Sequence, residues 1–433
     1  MFHMGWFMGK GFGVQGWGSQ WAGDIADEWM NPELYIEMAQ SLERAGFDYM
    51  MFEDSLMVTD TYRGTMEHTL ANAEGAPKND PFPLLPLLAY FTKHIGLIAT
   101  MATPFYPPFT AARLATTLDH LTKGRVGLNL VTASSHRSAQ NYGLEKHIEH
   151  DKRYDMAHEW MQVVDALWAS WEPGAIVADT ERKIYADHTK VHAIDFEGTY
   201  YKSRGPLNTQ PGPQRRPVIC QAGGSPAGKA FGARYADTII AATRGHEEMK
   251  VYRADISRRM IDAGRKPSDC KVLYLVNPIL ADTDAEAEEQ DRLGKLADHH
   301  NLEGHLGRLS YFSGIDMAQF DPDQPLPDDI ESRVNGHQSA FGDYLRTGKT
   351  LRDMAAHRTS RTVDLVGSAD TVAAKMGELM EGGEAGDGFL IASAITRKSI
   401  AEVADGLAPA LKRRGLVRPS YDGKTFKENL LAF

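Results

Sequence analysis

Two cysteines in 433 residues, Cys220 and Cys270, are too few for a disulfide framework. Cys220 lies in an apolar run where a buried thiol is the ordinary expectation, and the scarcity fits a reducing cytoplasm. Positive charge is short as well: 47 Lys and Arg face 58 Asp and Glu, a net charge of −11, and no basic run offsets it. A nucleic-acid groove needs a basic patch, so no nucleic-acid partner is expected. No stretch approaches the roughly 18 apolar residues of a membrane span, so no membrane partner is expected either. The opening MFHMGWFMGKGFG lacks a basic start and a small-residue cleavage site, and reads as strand and loop rather than a signal peptide.

Several catalytic signatures are missing too. No strand-to-helix turn carries GxGxxG with an acidic residue about 20 positions on, which counts against a dinucleotide fold. There is no GxSxG elbow and no CxxC pair. His3 has no HxH partner, and His299 and His300 stand in a long polar segment without HExxH, so no metal centre is expected from the 16 histidines.

What is present is alternation. Short apolar runs at 3–8, 47–54, 95–103, 125–133, 217–224, 237–243, 271–281 and 388–395 read as strands, and helix-period segments lie between them. In NPELYIEMAQSLERAG, Asn31 caps, Pro32 takes the first helical position and Gly46 ends the helix. Segments 109–123, 153–170, 226–236, 246–264 and 398–413 follow the same design, and SADTVAAKMGELMEGG is the helix before the last strand. Strands apolar on both faces and alternating with helices imply a parallel sheet, and eight such units imply an α/β fold closed as a (β/α)₈ TIM barrel. An open doubly wound sheet is the competing architecture. Residues 1–433 are expected to form one domain, with insertions at 55–82, 134–152, 171–216 and 282–387 that far exceed ordinary βα or αβ loops and build over the C-terminal mouth.

Four places carry candidate chemistry. The second strand ends in Glu53, Asp54 and Ser55, and carboxylates at a strand end point into the mouth of a barrel unless they are merely solvated loop acids. Asn129 interrupts the apolar fourth strand, with Thr132 just after it; an inward amide needs a partner, either a protein network or a ligand with donors and acceptors. His147, His150, Asp151, Arg153 and Tyr154 crowd a helix start, which suits an anion but is also how ordinary caps look. In QAGGSPAGK, Gly223, Gly224 and Ser225 precede Pro226 at a helix start, so backbone amides, a hydroxyl and the helix dipole can meet a phosphate; the plainer reading is a capped helix after a glycine turn. Trp6, Phe7, Trp17, Trp21 and Phe105 are candidates for an apolar or aromatic substrate wall, with core packing the plainer reading for Trp6 and Phe7.

Taken in order, TAARLATTLDHLTKGRVGLNLVTASS, AQNYG, EHDKRYDMAHEWMQVVDALWASW and KVHAIDFEGTYYKSRGPLNTQPGPQRRPVICQAGGSPAGKAFGARYAD resemble the bacterial luciferase-like superfamily. The similarity is to its nitrilotriacetate, dibenzothiophene-sulfone and long-chain-alkane monooxygenase branch. It covers nearly the whole chain and is weakest over 9–29 and 300–360.

The resemblance implies an enzyme, an FMN-dependent monooxygenase. A separate NAD(P)H:flavin reductase would supply reduced FMN, which with O2 oxygenates a small organic substrate. It implies FMN at the barrel mouth, with the phosphate at Tyr154, Gly223, Gly224 and Ser225 and His150 nearby. Glu53, Asp54, Thr103, Asn129 and Thr132 would then lie along the ring. Gly224 departs from relatives that carry a larger residue there. Thr103 and Asn129 are the candidates for holding oxygen beside the flavin, each offering a donor at a strand end. The implied assembly is a homodimer or homotetramer. A deazaflavin-dependent dehydrogenase on the same barrel is the alternative, and a barrel metal hydrolase or a non-catalytic ligand-binding barrel stands further off.

Overall fold

The computed structural model describes residues 1–334 and 363–433 and, between them, residues 341, 342, 345, 348 and 350–355. The remainder of the expected insertion at 282–387 lies outside the described residues.

All eight expected strands form. They are β1 (His3–Met8), β2 (Tyr49–Phe52), β3 (Gly96–Ala102), β4 (Val126–Val131), β5 (Val218–Gln221), β6 (Thr238–Ala241), β7 (Lys271–Val276) and β8 (Gly388–Ile391). Each pairs in parallel with its neighbours in sequence, and β8 pairs with β1 through Gly5 opposite Leu390, so the sheet is a closed barrel and not an open one. One run divides: the apolar stretch at 271–281 leaves the barrel after Val276, and Ile279–Leu280 pairs instead with Val366–Gly367. Pro278 separates the two pieces and has no amide hydrogen to continue a ladder.

The surrounding helices are α1 (Pro32–Ala45), α2 (Leu84–Phe91), α3 (Pro108–Leu121), α4 (His150–Ala169), α5 (Pro226–Tyr235), α6 (His246–Asp262), α7 (Ala369–Leu379) and α8, a run of Arg397–Ala401, a π-helical turn Glu402–Leu407 and Ala408–Arg413. At α1, Asn31 is extended, Pro32 takes the first turn, and Gly46 adopts φ 90° so that its N–H reaches the carbonyls of Leu42 and Glu43; the Asn31 side chain makes no capping bond. Helix α2 is absent from the sequence-based expectation. PFPLLPLLAYF is apolar all round and interrupted by prolines, but Pro86 falls in the first turn, where a missing N–H deprives no carbonyl.

Strand alternation divides the core in two. Met4, Trp6, Met8, Met50, Phe52, Leu97 and Leu128 face the helices, while Tyr49, Met51, Ile98, Val218, Cys220, Ile240, Leu273 and Leu390 fill the barrel. The helix Phe426–Leu430 plugs the bottom of the barrel with Phe426 and Leu430. Glycine makes room for it: a Cβ on Gly96 would come within 2.4 Å of the Phe426 ring, and one on Gly127 within 3.2 Å. Beside the plug, buried Asp48 accepts from His3 Nδ1 at 2.9 Å and from the Arg418 guanidinium, and Phe433 stacks on His3 at 4.2 Å.

The long segments have structure of their own. Residues 55–82 hold a helix, Glu67–Ala71, and a short strand, Lys78–Asn79, that pairs with Phe12–Gly13. Residues 134–152 hold the helix His136–Asn141. Residues 171–216 form two small hairpins, Ile176–Asp179 with Ile184–Ala186 and Phe196–Glu197 with Lys202–Ser203. In 282–387 the helices Asp284–His300 and Leu302–Ser313 precede a small separate core in which Leu306, Leu309, Met317 and Ile330 pack with Tyr62. The first and last long segments therefore meet over the mouth.

Candidate active site

With the bottom plugged, the open space lies at the carboxyl ends of the strands, where a cavity of about 930 Å³ opens. Its wall includes Phe7, Glu53, Asp54, Ser55, Asn129, Thr132, His150, Arg153, Tyr154, Gly223, Gly224 and Ser225, so twelve sequence-nominated residues from five separate stretches of chain converge on it.

One end is built for an anion. Ser225 caps α5, its hydroxyl accepting from the Gly228 amide at 3.1 Å. Gly223 and Gly228 pack face to face under the Tyr154 phenol: a Cβ on Gly223 would stand 2.8 Å from Gly228 Cα, and one on Gly228 2.8 Å from the Tyr154 hydroxyl. Burial raises the Tyr154 pKa, offset in part by hydrogen bonding with Ser225, Thr132 and Gln221, so the phenol keeps its proton and can donate it. Arg153, 4% exposed, donates through Nη1 to the Ala133 carbonyl, and its Nε has no partner. Burial pushes this guanidinium down to about 10, and among the described residues no carboxylate pairs with it. A buried cation without a counter-ion calls for an anionic ligand. His147 is driven down to about 4 by burial and then by Arg153, so it is neutral. His150 bonds Asp151 at 2.8 Å beside the same helix start.

The other end surrounds Asn129. Its amide nitrogen donates to Thr100 Oγ1 at 3.0 Å, and Thr100 in turn donates to the Phe52 carbonyl at 2.8 Å. The Asn129 amide oxygen is buried with no partner, which leaves an acceptor for a ligand N–H. Asp54 is pushed up to about 7 by burial, with Glu53 and Asp80 adding and Lys78 opposing. Lys78 is paired with Glu53 and also donates to Ser55 Oγ at 3.1 Å. Tyr311 and Phe312, on the insertion helix Leu302–Ser313, cover this end. Burial raises the pKa of Tyr311, which stands next to Ser55.

Seven nominated residues do not reach the wall, His147 and Asp151 among them. Thr103 is buried past the end of β3, its hydroxyl 3.4 Å from the Val131 carbonyl, on the opposite parity from Thr100. Thr100 takes the place expected for it; the register that sets Thr100 opposite Asn129 follows from strand alternation and was the available signal. Trp6 packs among the helices near Phe47, because its neighbour Phe7 faces the cavity and successive strand residues face opposite ways. Trp17 and Trp21 are 44% and 58% exposed on the loop after β1, with Lys398 over the Trp21 ring. Phe105 stacks on Tyr142 at 4.2 Å, while its neighbour Tyr106 joins the wall. Lys10, Glu74, Lys78 and Tyr311 belong to the site with no local sequence signal, since they come from loops and an insertion. Among the described residues, no three His, Cys, Asp or Glu side chains converge as metal ligands.

A closed barrel with an anion-binding end and an orphaned amide at its C-terminal mouth defines a cofactor-binding barrel enzyme. Residues 4–385 match the family model described as luciferase-like monooxygenase, and the chain belongs to that family. It is 33% identical to the dibenzothiophene-sulfone monooxygenase of Rhodococcus erythropolis (strain XP), over 99% of this chain and 96% of that one. It is 34% identical to nitrilotriacetate monooxygenase component A of Aminobacter aminovorans, over 92% and 89%. The crystal structure of a long-chain alkane monooxygenase superposes with TM-score 0.87 at 30% identity, covering 99% of this chain and 95% of that one. That of a riboflavin lyase with modified FMN and riboflavin does so with TM-score 0.86 at 28% identity, covering 100% and 96%. The chain is thus a flavin-dependent monooxygenase, one of a family whose members use reduced flavin and O2.

Proposed function

We propose that this chain is the oxygenase component of a two-component system, taking reduced FMN from a separate NAD(P)H:flavin reductase and using O2 to oxygenate a small organic substrate. The observation that carries the choice of FMN is that one cavity holds Arg153, which has no counter-ion among the described residues, together with Ser225 and an unpartnered Asn129 oxygen. A phosphate at one end and a hydrogen-bonding ring at the other meets both needs. The modified FMN in the riboflavin lyase structure and the name "component A" of the nitrilotriacetate enzyme support the reading.

When bound, reduced FMN supplies the electrons and activates O2. The chain does the rest. Arg153, Tyr154, Ser225 and the α5 amides hold the phosphate. Asn129, positioned by Thr100, orients the ring, with Glu53, Asp54 and Thr132 around it. Asp54, with its pKa near 7, is the wall carboxyl able to hold or release a proton near neutrality. Tyr311 and Phe312 exclude water from the substrate side.

The reading extends to a single barrel domain over 1–433 whose insertions shape the mouth, to a homodimer or homotetramer, and to a cytoplasmic setting for the two buried thiols. No described helix is long and apolar enough to cross a membrane. The test is to incubate the chain with NADH alone and then with FMN and a generic flavin reductase. Because no dinucleotide fingerprint is present, oxygenation is expected in the second case only. Turnover with NADH and no reductase, or no FMN binding by fluorescence titration, refutes it.

A further inference from the structure

The substrate end of the cavity treats charge unlike the anion end. Among the described residues, five lysines and arginines line the cavity: Lys10, Lys78, Arg137, Lys146 and Arg153. Lys146 follows Glu145, a residue of opposite charge that also lines the cavity, just before α4, and Arg153 lies in the first turn of α4 at the anion end. Each of the other three already has a carboxylate. Lys10 meets Glu74 at 3.2 Å, Lys78 pairs with Glu53, and Arg137 grips both oxygens of Asp60 at 2.8 Å.

Glu74 is shared further. Arg308, on the insertion helix, approaches its second oxygen at 3.8 Å. Burial pushes the Glu74 carboxyl up, but Lys10 and Arg308 outweigh it and hold it ionised. The acids are occupied as well. Asp316 caps the amides of Arg63 and Ala318, each at 3.0 Å, and Asp54, which no cation grips, sits near half protonation at neutral pH. An anion entering between these pairs meets no unpaired cation among Lys10, Lys78 and Arg137, and a cation meets no unpaired carboxylate among Glu53, Asp60 and Glu74. Phe7, Met57 and Phe312 supply apolar wall.

We infer that the substrate is uncharged and mainly apolar, and that the Lys10–Glu74–Arg308 and Lys78–Glu53 ion pairs act as a filter that rejects anions such as polycarboxylates. The inference rests on the flavin reading in assigning the Arg153 end to the phosphate and the space around Asn129 to the ring. Lys10, Glu74 and Arg308 are specificity determinants that take no part in the redox step, while Glu53 also flanks the flavin ring in the proposed function.

The test uses three probes of one shape: methyl phenyl sulfone, benzenesulfonate and trimethylphenylammonium. They are titrated calorimetrically into protein saturated with FMN, so that the Arg153 end is filled. The sulfone is expected to bind at least about 10-fold more tightly than either ion. Glu74→Gln frees Lys10 and Arg308 and is expected to narrow the sulfone-to-sulfonate ratio about 5-fold or more. Lys10→Gln leaves Glu74 with less compensation and is expected to widen it. Should Glu74→Gln fail to fold, Lys10→Gln decides alone. Equal or tighter binding of either ion, binding of none of the three, or ratios unmoved by the variants overturns the filter. Failure of FMN itself to bind is read in a separate titration, and it sinks the flavin assignment whatever the ratios are.

Discussion

Under α4 and α5 the chain buries a guanidinium that no carboxylate among the described residues answers, whereas Lys10, Lys78 and Arg137 on the opposite wall are each matched by an acid. The first arrangement is incomplete until a ligand brings negative charge. The second is complete without one and discriminates by what it refuses. A buried unpaired charge is a large liability in an empty site, so it marks the place where binding energy is concentrated. A neutralised wall contributes little affinity and governs selectivity instead.

The largest effect should come from breaking the first end. Arg153→Met keeps much of the apolar stem and removes the charge, and is expected to weaken FMN binding by roughly 100-fold, since charge-assisted hydrogen bonds contribute about 1.5–3 kcal/mol. The apo-protein should melt no lower than the parent, because the cation has no acid partner to lose. Fluorescence titration and a melting curve check both, and unchanged FMN affinity would place the phosphate elsewhere.

Next is Asn129→Leu, which deletes the orphaned acceptor between the two ends. Only its bond to Thr100 is lost from the protein, and Thr100 retains Phe52, so stability should fall by about 1–2 kcal/mol at most. Product formed per reduced FMN consumed should drop at least about 10-fold, the remainder appearing as peroxide. A large melting loss with normal coupling would make Asn129 a structural amide.

The smallest effect belongs to Asp54→Asn. Burial raises this carboxyl to about 7 from its ordinary 3.8, so the folded state binds its proton more tightly than the unfolded chain does. The parent is therefore penalised as pH rises from about 4 through 7, and the penalty persists above that. Discounted for partial exposure, Asn should stabilise the apo-protein by roughly 1–2 kcal/mol near pH 8 and by almost nothing near pH 4. Melting at the two pH values tests it, and a gain confined to the acid side would contradict the assignment.

The barrel was legible because its strands are apolar on both faces, a pattern that survives without any partner in view. Helix α2 was hidden by the same property: PFPLLPLLAYF has no polar face to give it a period. The anion end could be read because Gly223, Gly224, Ser225 and Pro226 are consecutive, so one turn of chain declares it. At the substrate end, Lys10, Glu74, Lys78 and Tyr311 come from three separate segments, and only the closed barrel brings them together. Trp6 and Phe7 could not both face the cavity, and alternation from Asn129 would have chosen Thr100 over Thr103.

The plug has a consequence for how the barrel is made. Strands β3 and β4 carry Gly96 and Gly127 where the Phe426 ring must enter, and His3 and Asp48 wait for Arg418 and Phe433. During synthesis the earliest strand therefore meets its guanidinium and its plug only when residues 418–433 have left the ribosome, at about 5–20 residues per second. Until then the lower interior is a glycine-lined opening with a buried acid lacking its guanidinium. Phe426→Ala would act on that closing step, slowing maturation of the whole barrel from a point remote from the chemistry.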